Sequence, residues 1–273
     1  MVQRRPPVED HMSTPDGDVA IPVADGTELD RRIAGPESQH PGESGFRLVS
    51  EGPEALAIRA RTALLAGRSL DVQTYIWHAD VTGTYLAHRL LQAADRGVRG
   101  RILVDDMDAR AKNAGFAALD AHPRFDVRMF NPFESRAGFL NKVKEIACIF
   151  PRLNRRMHNK TWIADNRIAI IGGRNLGDEY FGASDHVNFV DLDCAMVGPI
   201  VREASASFDE YWTAPVTRSM RDLDPARVTA EALEEVRAKL AGLAEEAESS
   251  PYAAEVRGDD AVQRLIAGDW PME

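Results

Sequence analysis

Arg101-Ile-Leu-Val-Asp-Asp106 is a short apolar run that ends abruptly in two acids, and its neighbours on both sides decide the fold. Upstream, Tyr85 to Arg96 reads as a helix and stops at Gly97, where a C-cap favours glycine. Further upstream, Ser69 to Trp77 has strand character, and Glu54 to Ala66 reads as a helix closed by Gly67. Downstream, Ala109 to Ala121 is helical and Phe125 to Phe130 alternates as a strand does. Residues 53 to 132 therefore read helix, strand, helix, strand, helix, strand. Strands joined by single helices of this length imply right-handed crossovers. The spacing predicts an α/β sandwich with a mixed, largely parallel sheet flanked by helices, and ligands where the strands end.

The 273 residues are 44% hydrophobic, enough for a sizeable core. A net charge of -10 argues against a generic nucleic-acid coat, so nucleic acid is not an expected partner. Cys148 and Cys194 stand far apart without metal-type spacing and read as reduced, buried residues of a cytosolic protein. The start lacks the apolar core of a secretory signal, and no run approaches the ~18 apolar residues of a membrane span. The expected location is cytoplasmic, with any membrane contact peripheral and on the inner face.

Residues 1–45 are rich in Pro, Gly, Asp and Ser and are expected to be a flexible lead-in. Residues 46–215 form the expected main ordered domain. Within its long connection, Phe139, Leu140, Val143, Ile146, Ala147 and Phe150 share one helical face. Packing onto the domain is the favoured reading of that face, with a membrane interface as the alternative. Lys142, Lys144, Arg152, Arg155, Arg156 and Lys160 gather in an otherwise acidic chain and suggest a mouth for an anionic headgroup. Residues 216–273 read as a linker and an amphipathic helix with Leu233, Val236, Leu240 and Leu243 on one stripe, leading towards something else.

The chemistry concentrates in His158-Asn-Lys160-Thr-Trp-Ile-Ala-Asp165, followed after six residues by Gly172-Gly173-Arg174-Asn175. Expected strands over His158–Ala164 and Arg167–Ile171 meet at a tight Asp165-Asn166 turn. Residues i and i+2 of a strand share a face, so His158 can attack phosphorus while Lys160 neutralises a phosphate oxygen. Asn175 can donate to the same phosphate, and Gly172 and Gly173 let backbone approach closely. Such a group suits electrostatic stabilisation of a five-coordinate phosphoryl transition state. Arg174, Arg155 and Arg156 join it as candidate phosphate ligands. Asp105 and Asp106 carry no convincing metal set, because no further ligands converge at suitable spacing. A further strand, Phe189 to Val197, precedes a helix that runs to about Trp212.

This string resembles the HxKxxxxD motif of the phospholipase D superfamily with its trailing GGxN. The continuation Asn175-Leu-Gly-Asp-Glu-Tyr-Phe181 resembles bacterial cardiolipin synthases more than the nucleases of the superfamily. Gln73-Thr-Tyr-Ile-Trp77, Leu103-Val-Asp-Asp106 and Asp191-Leu-Asp-Cys-Ala-Met-Val-Gly198 are similar to the same group, over residues 46 to 213. The resemblance implies a metal-free and cofactor-free exchange through a phosphohistidine, with an anionic phospholipid as substrate at a membrane surface. It places Asp191 at the position of the acid that orients the histidine, whereas Asp165 more plausibly steadies the motif locally.

The resemblance also exposes a gap. His11, His40, His78, His88, His122 and His186 all lack a lysine two positions later, so this chain holds one of two required motifs. Either the reading frame is a fragment or one gene of a split pair, with residues 216–273 leading towards an absent second half, as the trailing helix favours, or two copies dimerise about a two-fold axis. The competing functions are a homodimeric phosphodiesterase or nuclease, and a half-chain that binds lipid without turning it over.

Overall fold

The computed structural model describes residues 19–23, 26–106, 113–132 and 156–268. Its strands are β1 Gly45–Val49, β2 Ser69–Thr74, β3 Arg99–Asp105, β4 Phe125–Phe130, β5 Thr161–Ala164, β6 Ile168–Gly172, β7 Asp193–Val197 and β8 Thr217–Ser219. The helices are α1 Glu28–Gln39, α2 Gly52–Leu65, α3 Val81–Asp95, α4 Asn113–Asp120, α5 Asp178–Phe181, α6 Ile200–Trp212, α7 Met220–Leu223, α8 Ala230–Glu248, α9 Pro251–Gly258 and α10 Asp260–Ala267. All eight strands join one sheet in the order β1-β7-β6-β5-β2-β3-β4-β8.

The helix–strand alternation expected over 53–132 is present, and it makes β2–β3 and β3–β4 parallel. The other pairs, β1–β7, β2–β5, β4–β8, β5–β6 and β6–β7, are antiparallel. A largely parallel sheet is therefore the wrong description; it is mixed and mostly antiparallel. The reason is connectivity, since only the first half crosses over through helices, and β5 turns straight back into β6. At that turn Asp165 and Asn166 have φ of 54° and 55°. Two successive left-handed residues make the two-residue hairpin turn that Asp and Asn tolerate well.

Helices α2, α3, α4 and α8 cover one face of the sheet, over Leu70, Val72, Ile102 and Trp162. Helix α6 covers the other, where Phe208 and Trp212 pack with Ile163 and Met196. Each such large apolar side chain, fully buried, contributes about 1.5–3 kcal/mol. Buried Arg101 pins α6 down: it pairs with Asp71 at 2.7 Å and Asp209 at 2.8 Å, and lies 4.7 Å from the Phe208 ring centroid.

Both tails depart from expectation. Residues 28–39, expected to be flexible, form α1 behind a Thr27–Asp30 capping box, and Asp30 binds Arg68 at 2.6 Å and Arg167 at 2.7 Å. The stretch from 216 onward is no linker. Strand β8 completes the sheet beside β4, α8 packs on α3 and α4, and α9 and α10 pack on α2. The amphipathic stripe of α8 is thus already occupied, with Leu233 and Leu240 in the main core.

Candidate active site

The strand ends bring the sequence-marked residues to one edge of the sheet. Strand β5 begins at Thr161, three residues later than expected, so His158 and Lys160 arrive on an extended segment ahead of it. The Gly172 N–H donates to the Lys160 carbonyl at 3.3 Å, which continues the β5–β6 ladder past its formal end. The return of the chain is fixed just before the histidine. Buried Asp105 accepts from the Met157 N–H at 3.0 Å and from Arg156 Nη1 at 3.1 Å, and Gln73 Nε2 donates to the Met157 sulfur at 3.0 Å. Asp105 is therefore a clamp on the segment carrying His158.

His158 is exposed and Lys160 is buried. Tyr75 touches both, with its ring centroid 5.0 Å from the imidazole and 5.4 Å from Lys160 Nζ. Nζ also donates to the His158 carbonyl at 2.7 Å. Burial pushes the Lys160 ammonium down to about 8, and the Asp191 carboxylate pulls it partly back up. A lysine so placed is charged at neutral pH yet weakly solvated, which suits it to an anionic oxygen.

The glycine pair has a specific purpose. A Cβ at Gly172 would stand 2.0 Å from Asp193 Oδ1, and one at Gly173 would stand 2.0 Å from Asp191 Oδ1. The two acids of the strand that closes the site occupy the room that side chains would need. Asp193 is fully buried and shared by two buried arginines, Arg59 at 2.9 Å and Arg174 at 3.4 Å. Asp191, two residues earlier and partly exposed, faces Lys160. Among the described residues no hydrogen bond links Asp191 to His158.

Asn175 is buried, and its Oδ1 accepts from the Ile76 N–H at 3.0 Å. That bond orients the amide and turns Nδ2 away from Ile76, so Nδ2 is the donor left to meet a ligand.

Three expected site residues lie elsewhere. Asp165 sits past the far end of β5, about 16 Å along the extended chain from Lys160. Its carboxylate accepts from the backbone N–H groups of Gly67, Arg68 and Ser69 at 2.7–3.2 Å, so it organises the hairpin and touches no reacting atom. Arg174 points inward from the turn and donates to the carbonyls of Val49, Ser50 and Tyr180 as well as pairing with Asp193. It fastens β1 and α5 to the site and is not a phosphate ligand. Arg156 pairs with Asp105 and donates to the Asn131 carbonyl at 3.2 Å, so it braces the chain's return. Arg155, with Lys142, Lys144, Arg152, Cys148 and the amphipathic face of Phe139 to Phe150, lies outside the described residues.

Among the described residues one group has metal-ligand character: atoms of His78, Asp80 and Glu179 lie within 4.8 Å of one another. The Asp80 oxygens already accept from the Gly83 and Asp178 N–H groups, while Asp178 caps α3 through Thr82. Burial raises the Asp80 carboxyl above its ordinary range. This group is explained as reciprocal capping of α3 and α5.

A family model described as "Cardiolipin synthase, PLD-like domain" matches residues 62–212, which hold every residue from Tyr75 to Asp193 named above. The chain belongs to this family. Within it, cardiolipin synthase C of Escherichia coli (strain K12) is 44% identical over 179 residues, covering 64% of this chain and 36% of that protein. Cardiolipin synthase A of Pseudomonas entomophila (strain L48) is 28% identical over 172 residues, covering 63% and 32% respectively. NucT from Helicobacter pylori aligns with a TM-score of 0.43 at 16% identity, over 62% of this chain and 96% of that one. The PLD-like chain thus spans about a third of the length of the curated relatives it matches.

Proposed function

We propose that this chain supplies one half of a phosphatidyl-transfer site of the cardiolipin synthase kind. His158 bonds to phosphorus through a ring nitrogen as the alcohol of the donor phospholipid leaves, taking a proton from a second histidine. An acceptor alcohol then gives its proton back to that histidine, attacks phosphorus and breaks the N–P bond. This is covalent catalysis with a general acid–base partner. Lys160 neutralises a non-bridging oxygen, Asn175 Nδ2 donates to another, and Asp191 tunes Lys160.

The observation that carries this reading is the convergence of Lys160, Asn175 and Asp191 on the edge of the sheet where His158 stands exposed. The second histidine comes from another HxK-bearing half, whether further along the same polypeptide, on a second copy, or on a separate chain. No helix among the described residues is long and apolar enough to cross a membrane. We assign lipid access by this domain to contact at the membrane surface, because the substrate proposed is a phospholipid.

The test is acid-quench trapping with radiolabelled phosphatidylglycerol in mixed micelles, with a complementing half added. Label held on the wild type and absent from His158→Ala supports the reading. No label and no lipid turnover under those conditions would sink it.

A further inference from the structure

A cavity of about 200 Å³ opens between α2, α3 and the helices α8, α9 and α10, and none of Tyr75, His158, Lys160, Asn175 or Asp191 lines it. Its wall is mostly apolar, with Leu56, Leu64, Val81, Val256, Val262 and Ile266. Leu64, Val81 and Ile266 stay about half-exposed there. The surrounding helices are tied to one another. Arg89 pairs with Glu248 at 2.6 Å, Arg257 Nη1 donates to the Glu248 carbonyl at 3.0 Å, and the Tyr252 hydroxyl donates to the Phe181 carbonyl at 2.6 Å. The cavity is thus pre-formed, as small-molecule sites usually are. Two polar atoms on its lining are orphaned. The Thr82 hydroxyl and Arg61 Nε are both fully buried, and neither meets a hydrogen-bond partner among the described residues. Thr82 as a whole is only 1% exposed. Native folds seldom leave such atoms unpaired, which implies a partner from outside the chain. Water is a poor candidate, because it wants about two to four polar partners at once and the wall is apolar.

We infer that this cavity binds one unbranched alkyl chain ending in a carboxylate or phosphate, its head on Arg61 and Thr82 and its tail along the apolar wall. The orphaned atoms can both donate, so the partner they want is an oxygen acceptor. Charge makes that oxygen anionic: the lining holds Arg61, Arg89 and Arg257 against the single acid Glu248, in a chain whose net charge is -10. Size sets the number of tails. An apolar cavity of roughly 150 Å³ already takes up benzene, whereas drug-sized ligands fill about 300–1,000 Å³. About 200 Å³ therefore suits a single chain and is too small for the two acyl chains of a phosphatidyl lipid. The occupant is accordingly not the phospholipid proposed as substrate, and the site stands or falls independently of His158. A free fatty acid and a single-chain lysophospholipid share this chemistry.

The experiment is isothermal titration calorimetry of the full chain with decanoate and with lysophosphatidylglycerol, each below its micellar concentration. Decyltrimethylammonium is the cation of equal tail. The variants are Arg61→Gln, Thr82→Val and Ala253→Phe, which narrows the cavity, beside Arg202→Gln on the exposed surface of α6. Circular dichroism checks that each is folded, and partly exposed Arg61 carries the test if Thr82→Val does not fold. One-to-one binding of at least one anion is expected, weakened about tenfold in Arg61→Gln and Thr82→Val, lost in Ala253→Phe and unchanged in Arg202→Gln. Tighter decanoate identifies a free fatty acid as the source, and tighter lysophosphatidylglycerol a membrane-derived lipid. Failure of both anions to bind overturns the inference. So does binding indifferent to Arg61→Gln and Ala253→Phe, or equal affinity for decyltrimethylammonium, which would reduce the cavity to an apolar sink.

Discussion

The Asp191 carboxylate lies over Gly173, close enough that a Cβ at that residue would meet its Oδ1 at 2.0 Å. Gly173 is thus the floor on which the acid rests. Gly173→Ala should push the carboxylate aside while the sheet stays intact, because the clash is with a side chain and not with backbone. Activity with a complementing half is expected to fall about a hundredfold, the penalty of roughly 1 Å of misplacement, with little change in thermal midpoint. Gly172→Ala meets the Leu192 carbonyl and the Asp193 Cα as well, so it should lower stability too. Equal loss of stability in both variants would refute the distinction.

Lys160 gives the site a pH limit. Its ammonium titrates at about 8 in the empty site, so charge is present below that value and lost as pH rises through it. The kcat/KM profile should fall on the alkaline side with a midpoint near 8. A bound phosphate anion favours the ammonium, so the alkaline limb of kcat should lie higher. In Asp191→Asn, which removes the charge that raises Lys160, the kcat/KM limb should move to lower pH. An unmoved limb would remove Lys160 as its origin.

Asp165 is expected to matter for folding and not for chemistry. Asp165→Ala leaves the N–H groups of residues 67–69 without their acceptor, a loss on the order of 3–9 kcal/mol if each unsatisfied group costs about 1–3 kcal/mol. Asp165→Asn keeps the Oδ1 acceptor for Arg68 and Ser69 and should lose less. Urea unfolding measures both. Activity per folded molecule should survive in Asp165→Asn, and its abolition there would return Asp165 to the reacting centre.

The sequence disclosed those parts of the molecule that obey local rules. Helices closed at Gly67 and Gly97, the alternation of β4 and the Asp165-Asn166 turn follow from capping, burial and backbone preference within a few residues. The HxK and GGxN spacing was legible because its residue types stand at fixed intervals along one hairpin. Sheet direction was not, since β5, β7 and β8 pair with β2, β1 and β4, all distant in sequence, and β8 has only three residues. Helix α1 hid behind Gly35-Pro36 and a polar composition, and its anchor is a tertiary one, Asp30 held by Arg68 and Arg167. Arg174 misled for a related reason. A cation inside a phosphate-binding string invites a phosphate role, yet the glycine turn aims it at buried carbonyls and Asp193. The roles of Tyr75 and Asp105 depend on which strands are neighbours, and no local pattern carries that.

Arg156 joins Asp105 and the Asn131 carbonyl, and so ties the start of the connection after β4 to its end just before His158. A segment stapled at both ends is a socket. Its contents can be exchanged for a stretch of other length or chemistry, because closing a loop twice as long costs only about 0.6 kcal/mol more. The histidine would keep its place throughout.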